Sequence, residues 1–154
     1  MAHITRSGHY EAPIERVFEL ATDFQRYPEW NVNYSEIRDV SGPVEIGTVV
    51  TGVMQFMGRK VEGAGEIVEL DTPYLIRMKG ERPEGGRMDM TYRFTPAGTG
   101  TDYAFDVDYE LPPGIIGQIA DRLFVERAVE RDLAHTIENF GALVEAPVRE
   151  PATV

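Results

Sequence analysis

The chain has 154 residues, enough for one domain with a single core. Its formal net charge of -11, from 15 Lys and Arg against 26 Asp and Glu, argues against nucleic acid and anionic membrane surfaces, which need concentrated cations. Cysteine is absent, which excludes disulfides, Cys-ligated zinc and thiol catalysis. No apolar run approaches the roughly 20 residues of a membrane span, and Met1–Glu11 is too polar for a secretory leader. The expectation is a cytoplasmic protein without integral membrane association and without a nucleic-acid partner.

Ile4–Glu11 reads as a first strand. Ala12-Pro13 then opens a helix, because proline suits the first helical position and Glu15 complements the dipole. Ile14, Val17, Phe18 and Ala21 fall on one face of it. Asp23 caps a second short turn, Phe24–Tyr27, which Pro28 is expected to end. From Tyr34 the period moves towards two. Tyr34–Val40, Gly47–Met57, Arg59–Leu70 and Tyr74–Gly80 are strand candidates, separated by Ser41-Gly42-Pro43, Met57-Gly58 and Asp71-Thr72-Pro73. Gly86–Pro96 and Thr101–Leu111 alternate apolar and polar cleanly, which predicts one buried and one wet face. Short turns between these strands imply antiparallel pairing. Pro112-Pro113-Gly114 stops the sheet, and Ile115 to Glu145 then reads as one helix of roughly 45 Å. Its apolar stripe is Ile116, Ile119, Ala120, Leu123, Leu133, Ile137, Phe140 and Val144, interrupted by Glu126, Arg127, Glu130, Arg131 and Asp132. Residues 1–146 form one domain and 147–154 a flexible tail.

A rod that long needs a broad platform. The fold class expected is α+β: a seven-stranded curved antiparallel sheet around a long C-terminal helix, with two short helices after strand 1. Several motifs fit a known pattern. These are Ala12-Pro13-Ile14-Glu15-Arg16-Val17-Phe18, Asp23-Phe24-Gln25-Arg26-Tyr27-Pro28-Glu29-Trp30, Gly47-Thr48 and Gly98-Thr99-Gly100-Thr101. With this element order, the chain from about Ile4 to Glu145 resembles the helix-grip fold of the START-related SRPBCC superfamily. The nearest branch is the polyketide cyclase/dehydrase and coenzyme-Q-binding-like proteins. The resemblance implies a hydrophobic cavity between sheet and helix, with lipids, quinones or polyketides as candidate ligands. Because one fold hosts many activities, it does not choose between a binder and a cyclase or dehydratase.

The residues narrow this only in part. His3 and His9 lie roughly 20 Å apart along a strand and cannot share an ion; with His135 they are all the histidines, and no metal or cofactor is expected. Gly63-Ala64-Gly65 lacks the third glycine and following helix of a dinucleotide loop, so it reads as a strand bend. No nucleophile elbow is present. Met54, Phe56, Met88, Met90, Tyr92, Phe94, Tyr103, Phe105, Val107 and Tyr109 share the expected concave face. Methionine and tyrosine suit an adaptable pocket with polar tips better than a tightly specified core. The expected ligand contacts are therefore Trp30, Met54, Phe56, Met88, Met90, Tyr92, Tyr103, Phe105, Tyr109 and Leu123, with Trp30 either anchoring its helix or rimming the pocket. Tyr92, Tyr103, Arg77 and Glu62 are the candidates for positioning a carbonyl or moving protons. Arg77 and Glu62 pair inside the pocket in one strand register and on the solvent face in the other. A third reading is an interaction module that uses the acidic surface or the Glu81–Gly86 loop.

Overall fold

The computed structural model describes residues 2–82, 85–114 and 122–147. Its sheet contains β1 (Ala2–Tyr10), β2 (Tyr34–Val40), β3 (Val49–Phe56), β4 (Arg59–Asp71), β5 (Leu75–Glu81), β6 (Arg87–Ala97) and β7 (Gly100–Glu110). The order is β1-β7-β6-β5-β4-β3-β2, antiparallel throughout: a six-strand meander whose last strand returns to pair with the first. Between β1 and β2 run α1 (Ile14–Thr22), a short 3-10 turn (Phe24–Arg26) and α2 (Tyr27–Trp30). The long helix α3 (Arg122–Val144) follows the sheet. This is the α+β helix-grip arrangement expected from the sequence.

Local chemistry accounts for the turns. Met57 and Gly58 both take positive φ (50° and 80°), which is the two-residue hairpin that matches strand twist. Pro28 does not end the short helical turn. It sits in the first turn of α2, where its missing N–H is not needed, and the chain passes from the 3-10 turn straight into α2. Register shifts between Tyr34 and Glu36, between Ile37 and Asp39, and between Ile67 and Glu69 bend the sheet on its β2 side.

Alternation puts Met88, Met90, Tyr92 and Phe94 of β6 on the concave face. They stand opposite Tyr109, Val107, Phe105 and Tyr103 of β7. On the other side Met90 faces Met78, which faces Ile67. One row outwards, Met88 faces Gly80 and Gly80 faces Gly65. The concave face therefore carries side chains in one row and bare backbone in the next.

Helix α3 does not lie on the middle of the sheet. It packs on α1, α2 and β1. Tyr10 donates to the Ile137 carbonyl at 3.1 Å, Val32 N–H to Thr136 Oγ1 at 3.2 Å, and Asn33 Nδ2 to Asp132 Oδ2 at 2.9 Å. The buried face of α3 is Val125, Ala128, Thr136, Phe140, Gly141 and Val144. Leu123 departs from the expected stripe and is 53% exposed. At about 100° per residue it stands roughly 100° around the helix from Phe140, so a stripe drawn through both crosses faces. Ile116, Ile119 and Ala120, part of the Glu81–Gly86 loop and nearly all of the 147–154 tail lie outside the described residues. The main core gathers Phe18, Tyr27, Trp30, Phe94, Phe105 and Phe140 under α1 and α2. A second cluster gathers Ile4, Val107 and Tyr109 with Met88, Val129 and Leu133.

Candidate functional site

A cavity lies over the concave face of the sheet, with Val129 of α3 on its helix side. It has about 960 Å³ of atom-free space counted to its mouth, of which about 90 Å³ admits the centre of a water-sized sphere. One water needs roughly 10–15 Å³ on the second measure, so the space takes several waters or a small organic molecule. Its walls are Met54, Phe56, Met78, Met88, Met90, Val107 and Tyr109 from the sheet, Leu111 just after β7, and Val129 from α3. Gly63, Gly65 and Gly80 form the floor. The glycines create room as well as curvature: Gly65 and Gly80 are paired, and neither fills the space above it. At the mouth stand Glu81, Arg82, Arg87 and Glu110, with Arg87 and Glu110 joined at 2.9 Å.

A middle chamber adjoins this cavity and shares the walls Asn33, Tyr34, Met54, Met88, Met90, Val107 and Val129 with it. It continues to Tyr92, Leu133, Thr136, Asn31 and Ile4. A smaller inner void lies against Trp30, Phe94, Phe105, Ile137 and Phe140, and shares Tyr92, Leu133 and Thr136 with the middle chamber. Thr136 is occupied by the Val32 N–H, and Asn31 Oδ1 accepts from Asn33 N–H at 3.0 Å. The Asn33 amide also donates to the Gln55 carbonyl at 3.1 Å, so this residue ties α3 to the end of β3 beside the opening.

The tyrosines set the polarity. Burial pushes the Tyr27, Tyr34 and Tyr92 phenols up from their ordinary value, so each remains a neutral donor at pH 7. The Arg82 guanidinium partly opposes this at Tyr34. Tyr109 is also raised, first by burial and then by the carboxylates of Glu126 and Glu130. The interruption in the apolar stripe of α3 therefore lies beside the Tyr109 edge of the cavity.

The expected site residues divide into groups. Met54, Phe56, Met88, Met90 and Tyr109 line the main cavity, and Tyr92 the middle chamber and inner void. Trp30 and Phe105 reach only the inner void. Trp30 is 3% exposed between Tyr27 and Phe140, so it anchors α2 on the core. Its Nε1 is a buried donor with no hydrogen-bond partner among the described residues. Tyr103 lines none of these spaces: it is stacked between Tyr10 (4.4 Å) and Phe105 (4.7 Å) and covers Gly8. Its ladder partner is Phe94, not Tyr92.

Arg77 and Glu62 do not meet. Ile76 and Met78 point inward, so Arg77 lies on the convex face, where it holds Asp89 at 2.7 Å and 2.9 Å and Glu69 at 3.1 Å. Those partners raise the Arg77 pKa and lower that of Asp89. Glu62 is exposed and bonds Arg38 at 2.9 Å. Leu123 contributes nothing to the three spaces. Arg77→Ala is accordingly expected to leave ligand affinity unchanged and to lower the melting temperature, since it removes a half-buried ion pair on the convex face. Titration and thermal melting of the variant check both. Sequence reasoning overlooked Tyr34, Asn33, Val129 and the Gly65–Gly80 pair as lining residues. The glycine pair alone had a local signal, since a glycine inside a strand marks a bend or open space.

Among the described residues no three His, Asp or Glu side chains gather as a metal site, and no helix is long and apolar enough to cross a membrane. No curated protein matches the chain. Solved structures do. The Zhui aromatase/cyclase from Streptomyces sp. R1128 is similar at 17% identity and TM-score 0.75, with 96% of each chain covered. A protein from Thermus thermophilus, TTHA0849, is similar at 26% identity and TM-score 0.69, covering 93% of this chain and 97% of that one. A START superfamily protein from Mycobacterium smegmatis is similar at 14% identity and TM-score 0.72, covering 93% and 97%. The family model described as polyketide cyclase / dehydrase and lipid transport matches residues 1–145, and the chain belongs to that family.

Proposed function

We propose that the protein binds, and in that way carries, a hydrophobic or aromatic small molecule in the space between the sheet and α3. The observation that supports this best is a methionine-walled cavity over a glycine floor, formed by Met54, Met78, Met88 and Met90 above Gly63, Gly65 and Gly80. Flexible thioethers fit irregular apolar ligands, and bare backbone gives them depth. The family's description and the similarity to an aromatase/cyclase support the same ligand classes: lipid, quinone or polyketide. They also support a second reading, a cyclase or dehydratase in which Tyr92 orients a carbonyl. The middle chamber weighs against it as the first choice. Among the described residues its lining contains no Asp, Glu, His, Lys or Arg, and the titratable groups there are Tyr34 and Tyr92, both held neutral. General acid–base chemistry works best with a group poised near the operating pH. Amide NMR of the protein against a fatty acid, an isoprenoid quinone and a polycyclic aromatic tests the reading. Shifts are expected at Tyr34, Met54, Met90 and Val129. Shifts confined to the convex strand faces, or none with any probe, would refute it.

A further inference from the structure

The sulfur atoms of the main cavity are not equivalent. Among the described residues, Met54, Met78, Met88 and Met90 line it, and three of the four sulfurs meet a side-chain donor. Arg82 Nη2 lies 3.6 Å from Met54 Sδ, the Tyr92 hydroxyl 3.7 Å from Met90 Sδ, and the Tyr27 hydroxyl 4.0 Å from Met78 Sδ. Access separates them. Met78 is 6% exposed, and its donor Tyr27 is buried in the aromatic core. Met54 is half-buried near the end of β3, and its donor Arg82 stands at the cavity mouth. Its sulfur lies 3.4 Å from where a Cβ on Gly63 would stand. Gly63 has no such atom, so the floor leaves that side of the sulfur bare. The cavity admits water-sized molecules, and a peroxide is little larger. A reachable thioether beside a cationic donor suits one modification, oxidation to the sulfoxide, because thioether sulfur is a weak acceptor and an S=O oxygen a strong one.

We propose that Met54 is an oxidation site, at which hydrogen peroxide converts the thioether to a sulfoxide and so makes the cavity release its apolar ligand. The sulfur lone pair attacks one peroxide oxygen and the O–O bond breaks. The second oxygen leaves as water, carrying both protons of the peroxide. Sulfur loses two electrons and the peroxide gains them, so no further reactant is needed. The new oxygen accepts from the Arg82 guanidinium, where a charge-assisted hydrogen bond replaces a weak contact. The consequence falls on the ligand. Met54 borders both the main cavity and the middle chamber, and oxidation turns this flexible apolar wall polar. Methionine sulfoxide reductases restore the thioether, which makes the change reversible. Release as the outcome rests on the cavity-binding reading above and adds a regulation to it.

The test treats the wild-type chain and M54L with hydrogen peroxide and follows each methionine by peptide mass spectrometry. Affinity for a neutral apolar fluorophore, N-phenyl-1-naphthylamine, is measured before treatment, after it, and after repair by methionine sulfoxide reductases. Met54 should oxidise about tenfold or more faster than Met78. The oxidised wild type should bind the fluorophore about tenfold or more weakly, and repair should return the affinity. M54L conserves the side-chain volume; it should bind like the untreated wild type and keep that affinity through the same treatment. Met54 oxidising no faster than Met78, an affinity unchanged by its oxidation, or an equal loss in treated M54L overturns the proposal while leaving the cavity reading intact. Failure of the untreated wild type to bind the fluorophore or any molecule of the NMR panel overturns both. The wild-type oxidation map, set against affinity at matched times and after repair, decides the matter even if M54L does not fold.

Discussion

Gly65→Val is expected to abolish ligand binding while leaving the fold at least as stable. Gly65 lies in β4 opposite Gly80, on the floor of the main cavity. A Cβ there would meet the Met78 Cε at 3.6 Å and the Lys79 carbonyl at 3.8 Å, which is ordinary contact. The backbone is not in the positive-φ region, so valine adopts it without strain. Its two methyl groups then occupy space the ligand requires. Valine suits a strand interior better than glycine, and the substitution should shift stability by no more than about 1 kcal/mol, in the favourable direction. The loss in affinity should exceed tenfold. Thermal melting and probe titration measure the two effects separately; full affinity in a folded variant would mean the ligand sits elsewhere. The strand glycines Gly52 and Gly100, which do not line the cavity, would not report on it. At Gly52 a Cβ would lie 2.7 Å from the Glu36 carbonyl, and at Gly100 it would lie against the Tyr10 carbonyl. Substitution there strains the sheet itself.

Phe140→Ala is expected to destabilise the protein by about 3–5 kcal/mol, the usual cost of truncating a buried phenylalanine. That is a large share of a typical total of about 5–15 kcal/mol. Phe140 is 2% exposed. Its ring is 5.0 Å from Trp30 of α2 and 5.3 Å from Tyr10 of β1, so one side chain joins α3 to two of its three supports. It also borders the inner void, which its removal would enlarge. The lost contacts are thus not recovered by collapse. The midpoint of thermal unfolding should fall by on the order of 10 °C. Glu138→Ala, exposed on the same helix, should stay within about 0.5 kcal/mol. A Phe140→Ala midpoint equal to that of Glu138→Ala would show that α3 is held elsewhere.

These two positions also show how far the sequence could be read. Phe140 was legible: it falls on an apolar stripe with Ile137 and Val144, and a 3.6-residue period is a local property of the chain. The concave faces of β6 and β7 were legible for the same reason, since a two-residue alternation needs no knowledge of neighbours. Leu123 was misplaced because a stripe extended over many residues drifts around the helix. Gly65 was half legible. A glycine in a strand signals curvature, but that it stands opposite a second glycine depends on the β4–β5 register, which includes a shift at Ile67–Glu69. Arg77 and Glu62 failed together because each strand alone left its inward face open. Pairing β5 with β4 and β6 resolved it by seating Ile76 and Met78 in the core.

By itself, then, the sequence determined the order of elements, the antiparallel meander, the long closing helix and the methionine-rich face turned towards it. All of these follow from composition, turn residues and periodicities set within a few residues. The tertiary structure decided which of those residues meet. Tyr92 finds Tyr34, far away in the chain, across the middle chamber, whereas Tyr103, its apparent neighbour, is drawn into a stack over Gly8. The reason is that register, bulges and the seating of α3 are settled by the packing of the whole core. A pocket is the space such packing leaves, and no short stretch of chain encodes it.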